Sequence, residues 1–225
     1  MIDATVLSVQ AGRSRTFEDP EKKEAQWCSA IIKQPVECPV ALSELGVAGD
    51  EQVDRFNHGG IDKAVLAYSG DHFEFWDREY PEAPLGSPSI PGAFGENLTI
   101  GSQTEFDVCV GDRWQVGSCV LQISQPRQPC WKLSRRWGLT DLANRVQKSG
   151  YSGWYLRVVE PGSIDLGDEL TLIERSFPEW TIQAANEVMY REKSAARDRE
   201  LADCPALSDS WKEQLLTRAE KRERS

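Results

Sequence analysis

The sequence contains no Cys-x-x-Cys pair, no zinc-ligand spacing, no apolar run of about 18 residues and no excess of basic residues. The first two absences argue against a structural zinc site, and the third against a membrane-spanning helix. The formal net charge of −10 argues against binding a nucleic-acid polymer, which rests on Lys and Arg neutralising phosphates. It leaves room for a local basic pocket. Met1-Ile2-Asp3-Ala4-Thr5-Val6 shows no basic segment followed by an apolar one, so no signal peptide is expected. The six cysteines, Cys28, Cys38, Cys109, Cys119, Cys130 and Cys204, are therefore expected to be reduced thiols in a cytoplasmic protein.

What remains is a globular composition: 225 residues, 40% hydrophobic, 28% charged, with eight tryptophans. That length fits one large domain or a domain with a small appendage. Short apolar stretches punctuated by glycine predict strands at Thr5–Val9, Trp27–Lys33, Ala64–Tyr68, Val108–Val110, Asp112–Val116 and Val120–Ser124. This is the pattern of a barrel or sandwich. Residues 13–26 are charged and polar and read as a loop or hairpin. Helical spacing appears over Leu139–Gln147. After Pro178 the pattern changes: Thr181 is placed to N-cap a helix through Met189, and helices follow over Ala195–Leu201 and Ser208–Glu220. The fold class expected is mixed α/β, mainly β: a β-barrel-like domain over residues 1–176 with a three-helix subdomain over 177–225. Leu207, Trp211, Leu215 and Leu216 give the last helix one apolar face, and Arg218–Ser225 reads as a solvated charge run.

The chemistry concentrates in Gln125-Pro126-Arg127-Gln128-Pro129-Cys130. Each proline fixes its own φ and keeps the preceding residue out of the helix region, so the thiol's backbone is stiff and extended. Arg127, Lys132, Arg135 and Arg136 lie within a few residues, and nearby positive charge favours thiolate. Such a thiolate suits a soft metal carried by an anionic cofactor. A free cysteine is also commonly just a small buried hydrophobe. A second block, Asn57-His58-Gly59-Gly60-Ile61-Asp62-Lys63, is a glycine loop whose N–H groups and lysine suit an anion. A single histidine there is as readily a surface or core residue. In Gly95-Glu96-Asn97 the two polar side chains either cap a turn or touch a ligand. His72, within an aromatic helical pattern, is assigned no role. The other five cysteines read as structural, with Cys109 and Cys119 in buried strand contexts.

Taken in order, Asn57–Val65, Gly95-Glu96-Asn97-Leu98-Thr99, Gly111-Asp112-Arg113-Trp114, Gln125–Cys130, Ser152–Val158 and Gly167-Asp168 resemble the MOSC superfamily, within it the bacterial YiiM-like proteins. The three predicted C-terminal helices resemble the extension of YiiM-like members. The segment Gly12–Gln26 carries no recognisable motif. The resemblance implies a β-barrel that binds molybdenum cofactor (molybdopterin), a pterin dithiolene with a phosphate. It also implies that the thiolate of Cys130 coordinates molybdenum. The implied activity is reduction of N-hydroxylated compounds, such as N-hydroxylated purine bases, to amines, with electrons from a separate flavin or iron–sulfur reductase. On that footing Asn57, His58, Lys63, Asn97, Arg127 and Arg157 are candidates for holding the cofactor. Glu96 and His58 are candidates for delivering a proton, with Glu96 and Asn97 on the substrate side. Two other functions fit the same residues: a sulfur-transfer role with a persulfide on Cys130, and a non-catalytic cofactor carrier. The helical extension is a candidate for dimerisation or for docking the reductase, and its apolar face is equally suited to packing on the barrel.

Overall fold

The computed structural model describes residues 4–18, 26–53, 59–83 and 85–224. Thirteen strands lie among them: β1 (Thr5–Ala11), β2 (Arg15–Glu18), β3 (Gln26–Ser29), β4 (Gln34–Pro35), β5 (Val40–Ser43), β6 (Gly46–Val47), β7 (Val65–Ser69), β8 (Leu98–Gly101), β9 (Arg113–Val116), β10 (Cys119–Pro126), β11 (Trp154–Glu160), β12 (Gly162–Ile164) and β13 (Leu170–Glu174). The α-helices are α1 (Phe73–Glu79), α2 (Trp131–Trp137), α3 (Leu142–Ser149), α4 (Ile182–Tyr190), α5 (Ala195–Ala202) and α6 (Asp209–Glu223).

Eight strands form one sheet in the order β13-β9-β10-β11-β7-β8-β1-β4, antiparallel except for the parallel pair β7–β8. The sheet curls into a half-barrel. A bridge between Thr5 and Glu169 stitches the start of β1 to the approach of β13, and Leu170 donates its N–H to Ala4 across the same seam at 2.8 Å. β7 is buried along its whole length, as expected of a strand with a parallel neighbour and both faces covered.

Two apolar clusters result. The larger fills the half-barrel with Val6, Ile100, Val116, Leu121, Ile123 and Leu156, and continues into α4, α5 and α6 through Ile182, Leu201, Trp211 and Leu215. The smaller lies on the other side of the sheet. There Leu133 and Trp137 of α2 pack with Leu142, Val146, Tyr68, Trp76 and Phe94.

The stretch 13–26 takes the hairpin form of the two expected for it, β2 pairing with β3, with its tip outside the described residues. Other predicted elements take a different form. The strand expected over Trp27–Lys33 ends at Ser29, because the alternation that supports it fades after Cys28. Val108–Val110 is a turn held by an isolated bridge from Cys109 to Thr181. The charged end of the chain is not simply solvated. Arg218 and Arg222 bond the buried carboxylate of Asp198 at 2.8 and 2.5 Å, so α6 is tied to α5 by charge as well as by apolar packing. Thr181 caps α4 as expected, its hydroxyl accepting from the Ala184 N–H at 3.0 Å.

Candidate active site

Strand β10 ends at Pro126, and its continuation brings Cys130 to the mouth of a cavity with about 100 Å³ of water-accessible space. Three constraints position the thiol. The Arg127 N–H donates to the Gly153 carbonyl at 3.0 Å, anchoring the loop to the start of β11. Gly153 has φ +73°, and a Cβ there would meet the Ala67 carbonyl oxygen at 2.4 Å, so the crossing requires glycine. Beyond Cys130, α2 is held by Leu133 and Trp137 in the smaller cluster, and Trp137 Nε1 donates to the Ala93 carbonyl at 2.9 Å. Arg136 donates to the carbonyls of Ile31 and Gly92 at 2.8 and 2.5 Å, binding α2 to the opposite wall.

The cavity is lined by Lys33, Lys63, Arg127 and Lys132 against Asp50 and Glu51, a positive balance in a chain whose net charge is −10. Arg127 is 4% exposed. Its Nη2 donates to the Phe94 carbonyl at 3.2 Å, while its Nη1 is buried with no partner among the described residues. A buried guanidinium N–H without an acceptor is costly, so this atom marks a place for one. Lys33 is buried, with Nζ 2.5 and 2.7 Å from the two carboxylate oxygens of Asp50. Burial lowers its pKa from the ordinary lysine value, and Asp50 opposes that shift. Asp50 is fixed in turn by the Gly12 N–H at 2.7 Å and by Asn97 Nδ2 at 2.9 Å. Tyr155 also lines the cavity, and burial pushes its phenol up to about 12, so it stays protonated at neutral pH.

Among the residues anticipated from sequence, Cys130, Arg127, Lys63 and Asn97 line this cavity together. Asn97 also splices three segments: its amide donates to the Gln10 carbonyl at 3.2 Å and to Asp50, and its oxygen accepts from Leu66 N–H at 3.1 Å. Asn57 and His58 lie outside the described residues. Arg157 lies outside the cavity wall. Its Nε donates to Asp62 at 2.5 Å and its Nη1 to the Ala206 carbonyl at 2.7 Å, which joins β11 to the C-terminal helices. Glu96 is fully buried and likewise outside the wall. It accepts from the N–H groups of Gly92 at 2.6 Å and Phe94 at 2.9 Å, and from the Thr99 hydroxyl at 3.1 Å. Burial raises its pKa and the backbone donors oppose the shift. In this geometry it caps the 92–96 turn, one of the two roles its motif allowed. His72 forms a buried 2.7 Å contact with Glu105 and stacks on Tyr151, away from the cavity.

Sequence reasoning missed Lys33 and Asp50, which are 17 residues apart and meet only in the fold. It also missed an aromatic rim built on Trp131, which stands between the lining residues Cys130 and Lys132. Phe17 stacks on Trp27 at 4.3 Å, Trp27 meets Trp131 edge-on at 5.4 Å, and Trp131, the neighbour of Cys130, is 52% exposed. Lys132 Nζ lies 6.0 Å from the Trp131 ring. The donor set is thus a single thiol surrounded by cations. No group of three or more His, Cys, Asp or Glu suited to a metal occurs among the described residues. None of the six cysteines forms a disulfide. No helix among the described residues is long and apolar enough to cross a membrane.

The family model described as MOSC domain matches residues 54–171, and the one described as YiiM-like, 3-alpha helix domain matches residues 180–222. The chain is 38% identical over 219 residues to YflK of Bacillus subtilis, spanning 96% of this chain and 95% of that protein. It is 36% identical to a protein of Gibberella moniliformis named "Reductase", matching 90% of this chain but only 35% of that longer protein. The crystal structure of YiiM from Geobacillus stearothermophilus superposes with a TM-score of 0.80 at 36% identity, covering 96% of this chain and 99% of the other. The curled β-sheet half-barrel and the three-helix C-terminus agree with these matches. The chain belongs to the MOSC domain family, as a YiiM-like protein with the C-terminal three-helix domain.

Proposed function

We propose that this chain is a molybdenum-cofactor-dependent reductase of N-hydroxylated compounds, with the Cys130 thiolate as the protein's metal ligand. The observation that carries the reading is the cavity itself: one thiol, a positive lining and the unpartnered Nη1 of Arg127 in an acidic protein. The residues fit such a group. A single soft donor suits a metal that brings further sulfur ligands with it, and a phosphate-bearing pterin needs cations and amide donors. Arg127, Lys63 and Asn97 are placed to hold the anionic and pterin portions, and Tyr155 offers a hydroxyl that remains a donor. The name "Reductase" on one relative supports the redox class.

When bound, the cofactor would supply the two electrons that cleave the N–O bond. Two protons are also consumed, giving an amine and water. Lys33 is the lining cation best suited to release a proton, since burial eases its deprotonation and Asp50 holds its Nζ in place. The electrons come from a separate flavin or iron–sulfur reductase. The aromatic rim suits a planar base stacked beside the thiol.

Molybdenum and pterin content of the chain purified from a cofactor-competent host tests the reading, together with turnover of N-hydroxyadenine by an artificial electron donor. Near-stoichiometric molybdenum and turnover are expected. A metal-free protein carrying a persulfide on Cys130 by mass spectrometry would replace the reading with sulfur transfer, and cofactor binding without turnover would replace it with a carrier. In Arg127→Ala, loss of a charge-assisted hydrogen bond should weaken cofactor retention about tenfold or more. Unchanged molybdenum after gel filtration removes Arg127 from the site. In Trp131→Ala, KM for N-hydroxyadenine should rise about tenfold, the scale of one base–aromatic stack, with KM for a small aliphatic hydroxylamine unchanged. Equal changes for both substrates would dismiss the rim as a platform.

A further inference from the structure

We propose that the last of the C-terminal helices, α6, acts as a bracket that sets the position of the Cys130 thiol, through Gln214 holding Gln128. Gln128 lies two residues before Cys130, between Pro126 and Pro129, and lines the cavity. Its Nε2 donates to Gln214 Oε1 of α6 at 2.9 Å. One step upstream, Gln125 is buried and its Oε1 accepts from Ser208 Oγ at 2.7 Å and Ser210 Oγ at 3.3 Å, at the start of α6. The Ser208 N–H donates to the Ser124 carbonyl at 3.0 Å. The helices therefore grip the thiol segment at 124, 125 and 128, from residues more than 60 positions later in the chain.

Adhesion does not require these bonds. Leu207, Trp211 and Leu215 already bury the helices against the larger cluster, and Arg157 ties β11 to the Ala206 carbonyl. Apolar burial is non-directional, whereas a hydrogen bond fixes an orientation. The prolines on either side leave the Gln128 backbone few alternatives, so holding its side chain removes much of the loop's remaining freedom. The consequence concerns the thiol itself. It holds whether Cys130 takes a metal or a sulfur atom, so it stands or falls separately from the proposed activity.

The test reads the thiol directly. The full chain, expressed without pterin cofactor supply, is alkylated with iodoacetamide across a pH series, and modification of Cys130 is followed by peptide-resolved mass spectrometry. Three variants are compared. Gln214→Ala removes the hold on Gln128. Gln214→Glu keeps an acceptor for Gln128. Arg199→Ala breaks the exposed α5–α6 ion pair with Glu223, at 2.9 and 2.7 Å, without touching the loop. Gln214→Ala should change the Cys130 alkylation rate by about fivefold, the factor one hydrogen bond supplies. Gln214→Glu and Arg199→Ala should follow the unsubstituted chain, and thermal melting should stay close to it in every case. An unchanged alkylation rate in Gln214→Ala overturns the proposal. So does an equal change in Arg199→Ala, which would mean that general loosening of the helices is responsible.

Discussion

Cys130→Ser should lose molybdenum and turnover while keeping its fold. The substitution exchanges a soft thiolate for a hard, neutral hydroxyl of nearly the same size, at a half-exposed position at the head of α2. The loop is held by the Arg127–Gly153 bond, and α2 by Leu133, Trp137 and Arg136. Losing a residue that supports a metal ligand already costs about 10–100-fold, so losing the ligand itself should lower turnover by at least about a hundredfold. The checks are metal content, steady-state turnover of N-hydroxyadenine and a thermal melt on one preparation. A variant with the activity of the unsubstituted chain would remove Cys130 from the metal. A variant that fails to fold would instead give the thiol a packing role.

The second large effect is one of stability. Glu96→Ala should destabilise the fold by about 3 kcal/mol, because the buried N–H groups of Gly92 and Phe94 both lose their acceptor and each orphaned donor costs about 1–3 kcal/mol. Against a typical total of about 5–15 kcal/mol, that is a large share. The urea midpoint should fall in proportion. Turnover by the fraction that remains folded, measured well below the melting temperature, should be retained, since the carboxylate lies outside the cavity wall. Lost turnover with an unchanged urea midpoint would return Glu96 to the proton-delivery role that its motif also allowed.

The contrast between these residues shows where sequence is informative. Cys130 was legible because two prolines and a cluster of cations are local features, and β10 because Val120–Ser124 leads directly into them. Thr181 announced α4 through a capping preference that acts over three residues. Helix α2 was missed although Leu133 and Trp137 stand four apart, since a preceding proline and four charged or polar residues masked the pair. Lys33 with Asp50, and Asp198 with Arg218 and Arg222, left no periodic trace. Ion pairs between distant segments obey no spacing rule, so charges that read as solvated on a helix were buried by a partner from another one. Arg157 carried the right chemistry in the right motif, yet β11 aims it at Asp62 and Ala206, a choice that register rather than composition makes.

The cavity wall is assembled from segments around residues 29–33, 50–53, 63–66, 94–97 and 127–132, with Tyr155 from a sixth. These lie far apart in the unfolded chain, so a molecule that touches them all binds only the folded form. Occupancy then works as a removable cross-link. It lifts stability in proportion to the logarithm of free ligand over its dissociation constant, about 2.7 kcal/mol at a hundredfold excess. On the proposed function, the amount of this protein that survives in a cell would be tied to the supply of its cofactor, and a shortage of that group would show first as fewer intact molecules.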